Sequence, residues 1–136
     1  MTTLTHASIA GAFGQRLGNP YLAFMFGLVL HLAMDKIPHF WPATKKNQNL
    51  VILIDWVGTI ILLAVFWFYP FPSHLGLFFG ALGGVVIDFV LVGIMGAKGK
   101  LAEWHTKRQP HRTNPWWIST DVIQFVIGLL AIGMYR

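Results

Sequence analysis

Residues 49–69 read NLVILIDWVGTIILLAVFWFY. One charge, Asp55, interrupts an apolar run as long as the roughly 20 residues a helix needs to cross a hydrocarbon core. Two comparable runs follow, 75–97 (LGLFFGALGGVVIDFVLVGIMGA) and 116–135 (WWISTDVIQFVIGLLAIGMY). A fourth, 20–37, is shorter and spans if tilted. The first segment, 4–18, is too short to span comfortably. Its Ala7, Gly11, Gly14 and Gly18 share one helical face, and such small residues let a neighbouring helix approach closely. The pattern predicts an all-α integral membrane protein: four transmembrane helices plus a short, partly inserted N-terminal helix, in one domain over 1–136.

Composition points the same way. Hydrophobic residues make up 55% of the chain and charged ones 11%, against about 25% charged in soluble domains. The absence of cysteine excludes disulfides and thiolate metal sites. The net charge of +5 could suggest a nucleic-acid partner, but none is expected, because the basic residues sit in short loops between apolar runs. Lys45 and Lys46 lie in the loop at 38–48, with Lys36 just before it. Lys98, Lys100, Lys107, Arg108 and Arg112 lie in the loop at 98–115. The turn at 70–74 has none. Two spans separate the basic loops, so they share a side, read as the cytoplasmic side of a bacterial inner membrane. Trp41, Trp67, Trp104, Trp116 and Trp117 fall near span ends, as in an aromatic belt. The N-terminus lacks the basic region of a signal peptide.

The acids are the anomaly. Of five acidic residues, Asp35, Asp55, Asp88 and Asp121 lie inside apolar runs. A carboxylate near the bilayer centre costs about 2.5–3.5 kcal/mol, so these four are expected to face the bundle interior and share partners. The topology sets them at one depth, towards the basic loops, with His6, His105 and His111 on the same side and His74 on the other. In LVLHLAMDKIPHF (28–40), His31 and Asp35 are one turn apart and share a face, and Pro38 can turn His39 back towards them. Gly80, Gly84 and Asp88 form a stripe, as do Trp117, Asp121, Gln124 and Gly128. Gly80 and Gly84 would also suit a contact between two copies.

Each feature has a plainer reading. His31 and Asp35 could make an interhelical hydrogen bond, His39 could sit at the interface, and His105 and His111 could be solvated. Asp55, one turn before Thr59, reads as structural, and Asp121 as a partner behind a histidine. Jointly, however, histidine and aspartate are ligands for a divalent metal, zinc or manganese, and a metal would offset the buried negative charge. Lys107, Arg108, His111 and Arg112 would suit an anionic headgroup or phosphate.

THASIAG (5–11), AFMFGLVLHLAMDKIPHF (23–40), GALGGVVIDF (80–89) and EWHTKRQPH (103–111) together resemble small bacterial membrane proteins described as predicted metal-dependent hydrolases. They are similar to the membrane-bound, LexA-binding metal-dependent hydrolase family. The resemblance covers most of the chain; neither that family's Pro-Asp-x-Asp turn nor its His-Arg-Gly-x-Thr-His motif is present. Carried over by position, it implies His6, His31, Asp35, His39, Asp88 and His105 as metal ligands.

The expected function is therefore metal-dependent hydrolysis at the cytoplasmic membrane interface. The substrate would be a phosphoester or other ester of a lipid-like molecule, with Asp35 or Asp88 doubling as base. Two alternatives stand beside it: a small proton or metal-ion transporter, which needs a polar path to the far side, and a non-catalytic adaptor or structural protein whose basic loop is a docking surface. In any of these roles a chain this small could form a homodimer.

Overall fold

The computed structural model describes residues 2–94 and 99–135. Lys98 and the side chains of Arg108 and Trp117 lie outside the described part. Among the described residues the chain is mostly helical: α1 (Thr3–Leu17), α2 (Pro20–Met34), α3 (Lys45–Phe68), α4 (His74–Asp88), α5 (Lys100–Arg108) and α6 (Trp116–Gly133). A π-helical segment, Phe89–Ile94, continues α4. Two features depart from the expectation: α5 forms within the stretch read as a loop at 98–115, and two two-residue strands, β1 (His39–Phe40) and β2 (His111–Arg112), pair in parallel.

Local chemistry sets the boundaries. Thr2 caps α1 through its side chain, which accepts from the N–H of Thr5. Asp55 of α3 adds a cap from another helix, accepting from the N–H groups of Thr3 and Leu4 at 2.8 and 2.9 Å. The last turn of α1 closes at Gly18, whose φ of +68° suits glycine. Asn19 accepts from Tyr21 and Leu22, and Pro20 starts α2.

α1 occupies the middle of the bundle and packs on α2, α3, α4 and α6. Its small residues serve backbone approach. A Cβ added at Gly14 would stand 2.3 Å from the carbonyl oxygen of Gly76, and one at Gly80 would stand 2.5 Å from that of Ala10. α2 crosses α4 as closely: a Cβ at Gly27 would lie 2.4 Å from the Gly80 oxygen, and one at Gly83 2.2 Å from that of Phe24. Gly80 and Gly84 are thus consumed inside the chain and are not free for a contact between copies.

The apolar core lies on the far side of this crossing and is built from Ala7, Ala12, Phe66, Leu77, Ala81, Val85 and Ile132. Two helices among the described residues are long and apolar enough to cross a membrane: Lys45–Phe68, with mean hydropathy 2.4, and His74–Leu91, with 1.9. α2 and the apolar part of α6 are shorter. Their outer faces are apolar: Leu22, Met25 and Val29 on α2, Leu53, Ile54 and Ile60 on α3, and Val122, Ile127 and Leu130 on α6 are all exposed.

Candidate metal centre

Five expected site residues meet at one end of the bundle, and each arrives from a helix end or a helix crossing. The cap of α1 sets His6 one turn inside its start. His31 and Asp35 close α2 in successive turns. Asp88 ends the regular part of α4, where the winding changes to π, a distortion common at functional sites. His105 is carried in by α5. All five are buried, His6 and His31 completely.

One nitrogen decides the protonation pattern. His31 Nδ1 lies 2.7 Å from the carbonyl oxygen of Gly84, and a carbonyl can only accept, so Nδ1 carries the proton and donates. His6 Nδ1, also 2.7 Å from His31 Nδ1, then accepts from the same N–H. Two consequences follow. His31 presents a bare Nε2 to the other side of its ring, and His6 carries its proton on Nε2, which faces Asp35 Oδ1 at 3.6 Å.

Around His31 Nε2 the remaining groups converge. His105 Nε2 is 3.1 Å away, Asp35 Oδ2 3.3 Å and Asp88 Oδ1 3.9 Å. His105 Nε2 lies 2.9 Å from Asp35 Oδ2 and 3.6 Å from Asp88 Oδ1. With zinc–nitrogen and zinc–oxygen bonds of about 2.0–2.2 Å, tetrahedral ligand atoms stand about 3.3 Å apart, the middle of this range. Asp35 Oδ2, though flanked by two imidazole nitrogens, has no aligned hydrogen bond. That oxygen is left unsatisfied, while the two nitrogens, 3.1 Å apart, are placed to hydrogen-bond to each other. These buried histidines and aspartates lie within metal-binding distance in two overlapping sets: His31, Asp35 and His105, and His6, His31 and Asp88. The Gly84 bond leaves His31 Nε2 for the first set, and Asp88 approaches both imidazoles of that set, at 3.9 and 3.6 Å. Two carboxylates also balance the charge of a divalent cation.

His39 does not join this group. The helix of α2 has ended by Asp35, Pro38 redirects the chain, and the strand pair fixes His39 opposite His111. Their rings meet edge to face at 4.9 Å, and His111 stacks on Trp41 at 5.0 Å. Burial, first, and the neighbouring His111 push the His39 imidazole down to about 3. Burial likewise lowers His111. Both are neutral at physiological pH.

The expected anion patch is only partly assembled. Lys107 pairs with Glu103 at 2.7 Å on the exposed side of α5. Arg112 is exposed on β2. His111 points its Nε2–H at Gln109 Oε1, 3.2 Å away. Gln109 itself is the residue that sequence reasoning missed. Its amide N–H donates to Asp35 Oδ1 at 3.1 Å, which leaves Oδ2 for the two imidazoles. Its only signal is its place between His105 and His111, next to a proline.

Asp55 and Asp121 stand outside the centre. Asp55 is committed to the start of α1, and Thr59 donates to the Asp55 carbonyl at 2.7 Å. Asp121 offers its backbone oxygen to Thr5 at 3.3 Å, while its Oδ1 is buried without a partner. A cleft of about 90 Å³, lined by Thr3, His39, Trp41, Trp56, Asp88 and Gln109 among others, leads to the centre.

Comparison of the chain with protein-family models, with curated proteins and with solved structures found no match.

Proposed function

We propose that the protein is a membrane-embedded, metal-dependent hydrolase that cleaves a phosphoester or other ester of a lipid-like substrate at the membrane interface. The observation that carries this reading is that Asp35 Oδ2 and Asp88 Oδ1 both approach the same two imidazole nitrogens, His31 Nε2 and His105 Nε2, at 2.9–3.9 Å, with those nitrogens 3.1 Å apart, in a buried centre whose Asp88 also lines a cleft. His31, His105, Asp35 and Asp88 would hold the ion. Two imidazoles and two carboxylates suit zinc or manganese. A divalent ion so held polarises an ester oxygen and lowers the pKa of water that it binds.

The chain's own groups supply the rest. Asp88 is the cluster carboxylate that lines the cleft, so it is placed to accept the proton of the attacking water. Gly84 and His6 fix the tautomer of His31, and Gln109 holds Asp35 in register. Exposed apolar faces on α2, α3 and α6 suit four membrane-spanning helices. The strand pair brings both basic loops to one end, which the positive-inside rule assigns to the cytoplasm. A proton or metal-ion relay is the weaker reading. Beyond the centre, Ala7, Ala12, Leu77, Ala81 and Phe66 form an apolar core, and the buried Ser8, Gln15 and Thr59 each donate to a backbone carbonyl rather than to one another.

Elemental mass spectrometry of the detergent-purified protein tests the proposal, beside His31→Ala and Asp35→Asn. One equivalent or more of zinc or manganese, lost in both variants, is expected, followed by phosphoesterase activity on lipid substrates. No bound metal, even after reconstitution with excess, would refute it.

A further inference from the structure

We infer that the groove between α3 and α6 binds one acyl chain of the substrate, with the chain's polar, ester-bearing end lodged in the cleft beside Asp88 and Gln109. This rests on the hydrolase reading above and specifies its substrate class: an acyl lipid that enters sideways from the bilayer.

α3 and α6 both pack on α1. Between them runs a groove of about 270 Å³, floored by Thr2, Leu4 and Thr5 and walled by residues such as Ile54, Ile118, Val122 and Phe125. It is continuous with the cleft at the metal centre, because Thr2, Phe40, Val51 and Asp55 line both. The two spaces differ in chemistry. The cleft is lined by the Asp88 carboxylate and the Gln109 amide, while the groove is lined mostly by aliphatic and aromatic side chains, with Asp55, Asp121 and two threonines among them. An amphiphile with its head at Asp88 and its tail along α6 matches that gradient.

The direction of the groove also fits. Both helices begin at the end that holds the metal centre, so the groove leads away from it. Ile118, Val122 and Phe125 recur on one face of α6 and mark about 10 Å of its axis. Ile54 and Val122 are exposed by 63% and 54%, so the groove is open along its length. A chain entering from surrounding lipid meets mainly apolar side chains on its way to the cleft. Lipid tails are as apolar as the groove walls, so transfer alone gives no preference, and any selectivity comes from shape and from the anchored head.

The test uses the full-length protein in lipid nanodiscs of phosphatidylethanolamine and phosphatidylglycerol, doped with a glycerophospholipid that carries a photoactivatable diazirine on one acyl chain. Labelled residues are mapped by mass spectrometry, and metal content is measured on the same samples. Labelling of Ile54, Ile118, Val122 and Phe125 is expected to exceed that of Ile60 and Ile127, exposed elsewhere on the same helices, by about tenfold, the ratio that about 1.4 kcal/mol of preference gives. Val122→Trp, or Ile54→Trp as a second variant, should abolish the excess with metal content unchanged. Even labelling of all lipid-facing positions would overturn the inference and leave the metal reading intact. So would cross-links from the groove to a second copy of the chain, which would make it a subunit interface. Groove labelling in a protein that binds no metal would instead support the acyl site and overturn the hydrolase reading.

Discussion

Gly27→Ala should damage the metal centre from a full helical turn away. In the structure α2 and α4 cross backbone to backbone, and a Cβ at Gly27 would stand 2.4 Å from the Gly80 oxygen, 2.8 Å from Gly84 N and 3.0 Å from Gly83 C. These neighbours are main chain and cannot rotate aside. Reaching the 3.4 Å of ordinary van der Waals contact requires the two helices to part by about 1 Å at this point. α2 carries His31 and Asp35, while α4 carries Asp88 and the Gly84 carbonyl. The 2.7 Å bond from His31 to Gly84 would open beyond the roughly 3.2 Å limit of a hydrogen bond. Metal sites tolerate errors of only about 0.2 Å in ligand distance. The expected outcome is a stability loss of about 1–3 kcal/mol from overpacking and a 10- to 100-fold fall in metal affinity, the usual cost of disturbing a ligand's support. Affinity is read by competition with a fluorescent chelator, at a temperature where circular dichroism shows the variant folded. Gly58→Ala is the control: its Cβ would sit 3.4 and 3.6 Å from the Leu4 side chain, an ordinary contact. Wild-type zinc affinity in a folded Gly27→Ala protein would refute the claim that this crossing sets the geometry of the centre.

Three further outcomes are expected. Gln109→Ala should lower metal affinity about 10- to 100-fold while leaving thermal stability nearly unchanged; a purely structural Gln109 would reverse that pattern. His39, buried neutral, should make the protein acid-sensitive. The unfolded chain takes up a proton below about pH 6.5 and the folded one does not until about 3, so stability is present above pH 6.5 and falls as the pH drops. His39 accounts for about 2 kcal/mol of loss between pH 7 and pH 5, and denaturant titrations of wild type and His39→Gln losing stability equally over that interval would disprove this. Asp55→Ala, which strips two N–H groups at the start of α1 of their acceptor, should cost about 2 kcal/mol, seen as a lowered Tm; an unchanged Tm would show that water or Thr2 replaces it.

Much of the centre is visible in the sequence because of where its residues cannot comfortably be. Carboxylates at 35 and 88 inside apolar runs demand partners, and His31 is fixed one turn from Asp35 by helical periodicity. That reasoning concerns each segment alone. It could not place His39, because its direction depends on the pairing of residues 39–40 with 111–112, segments that lie far apart in the chain. It missed Gln109 for the same reason: an amide two residues before His111 acquires meaning only when a loop folds back onto the end of α2. It also separated Asp55 from the centre only as a leaning, whereas the bonds from Thr3 and Leu4 commit that carboxylate to a helix start.

The sequence by itself determined the apolar helical segments and the gathering of ionisable groups towards one end, since these follow from length and the cost of burying charge; α5, polar and inside a basic stretch, read as loop. The tertiary structure decided which groups meet. A first segment that reads as marginal becomes the hub because glycines on α2 and α4 admit its backbone and one another's at contact distance. That close approach brings the Gly84 carbonyl to His31, fixes where its proton sits, and so decides which nitrogen faces Asp35, Asp88 and His105.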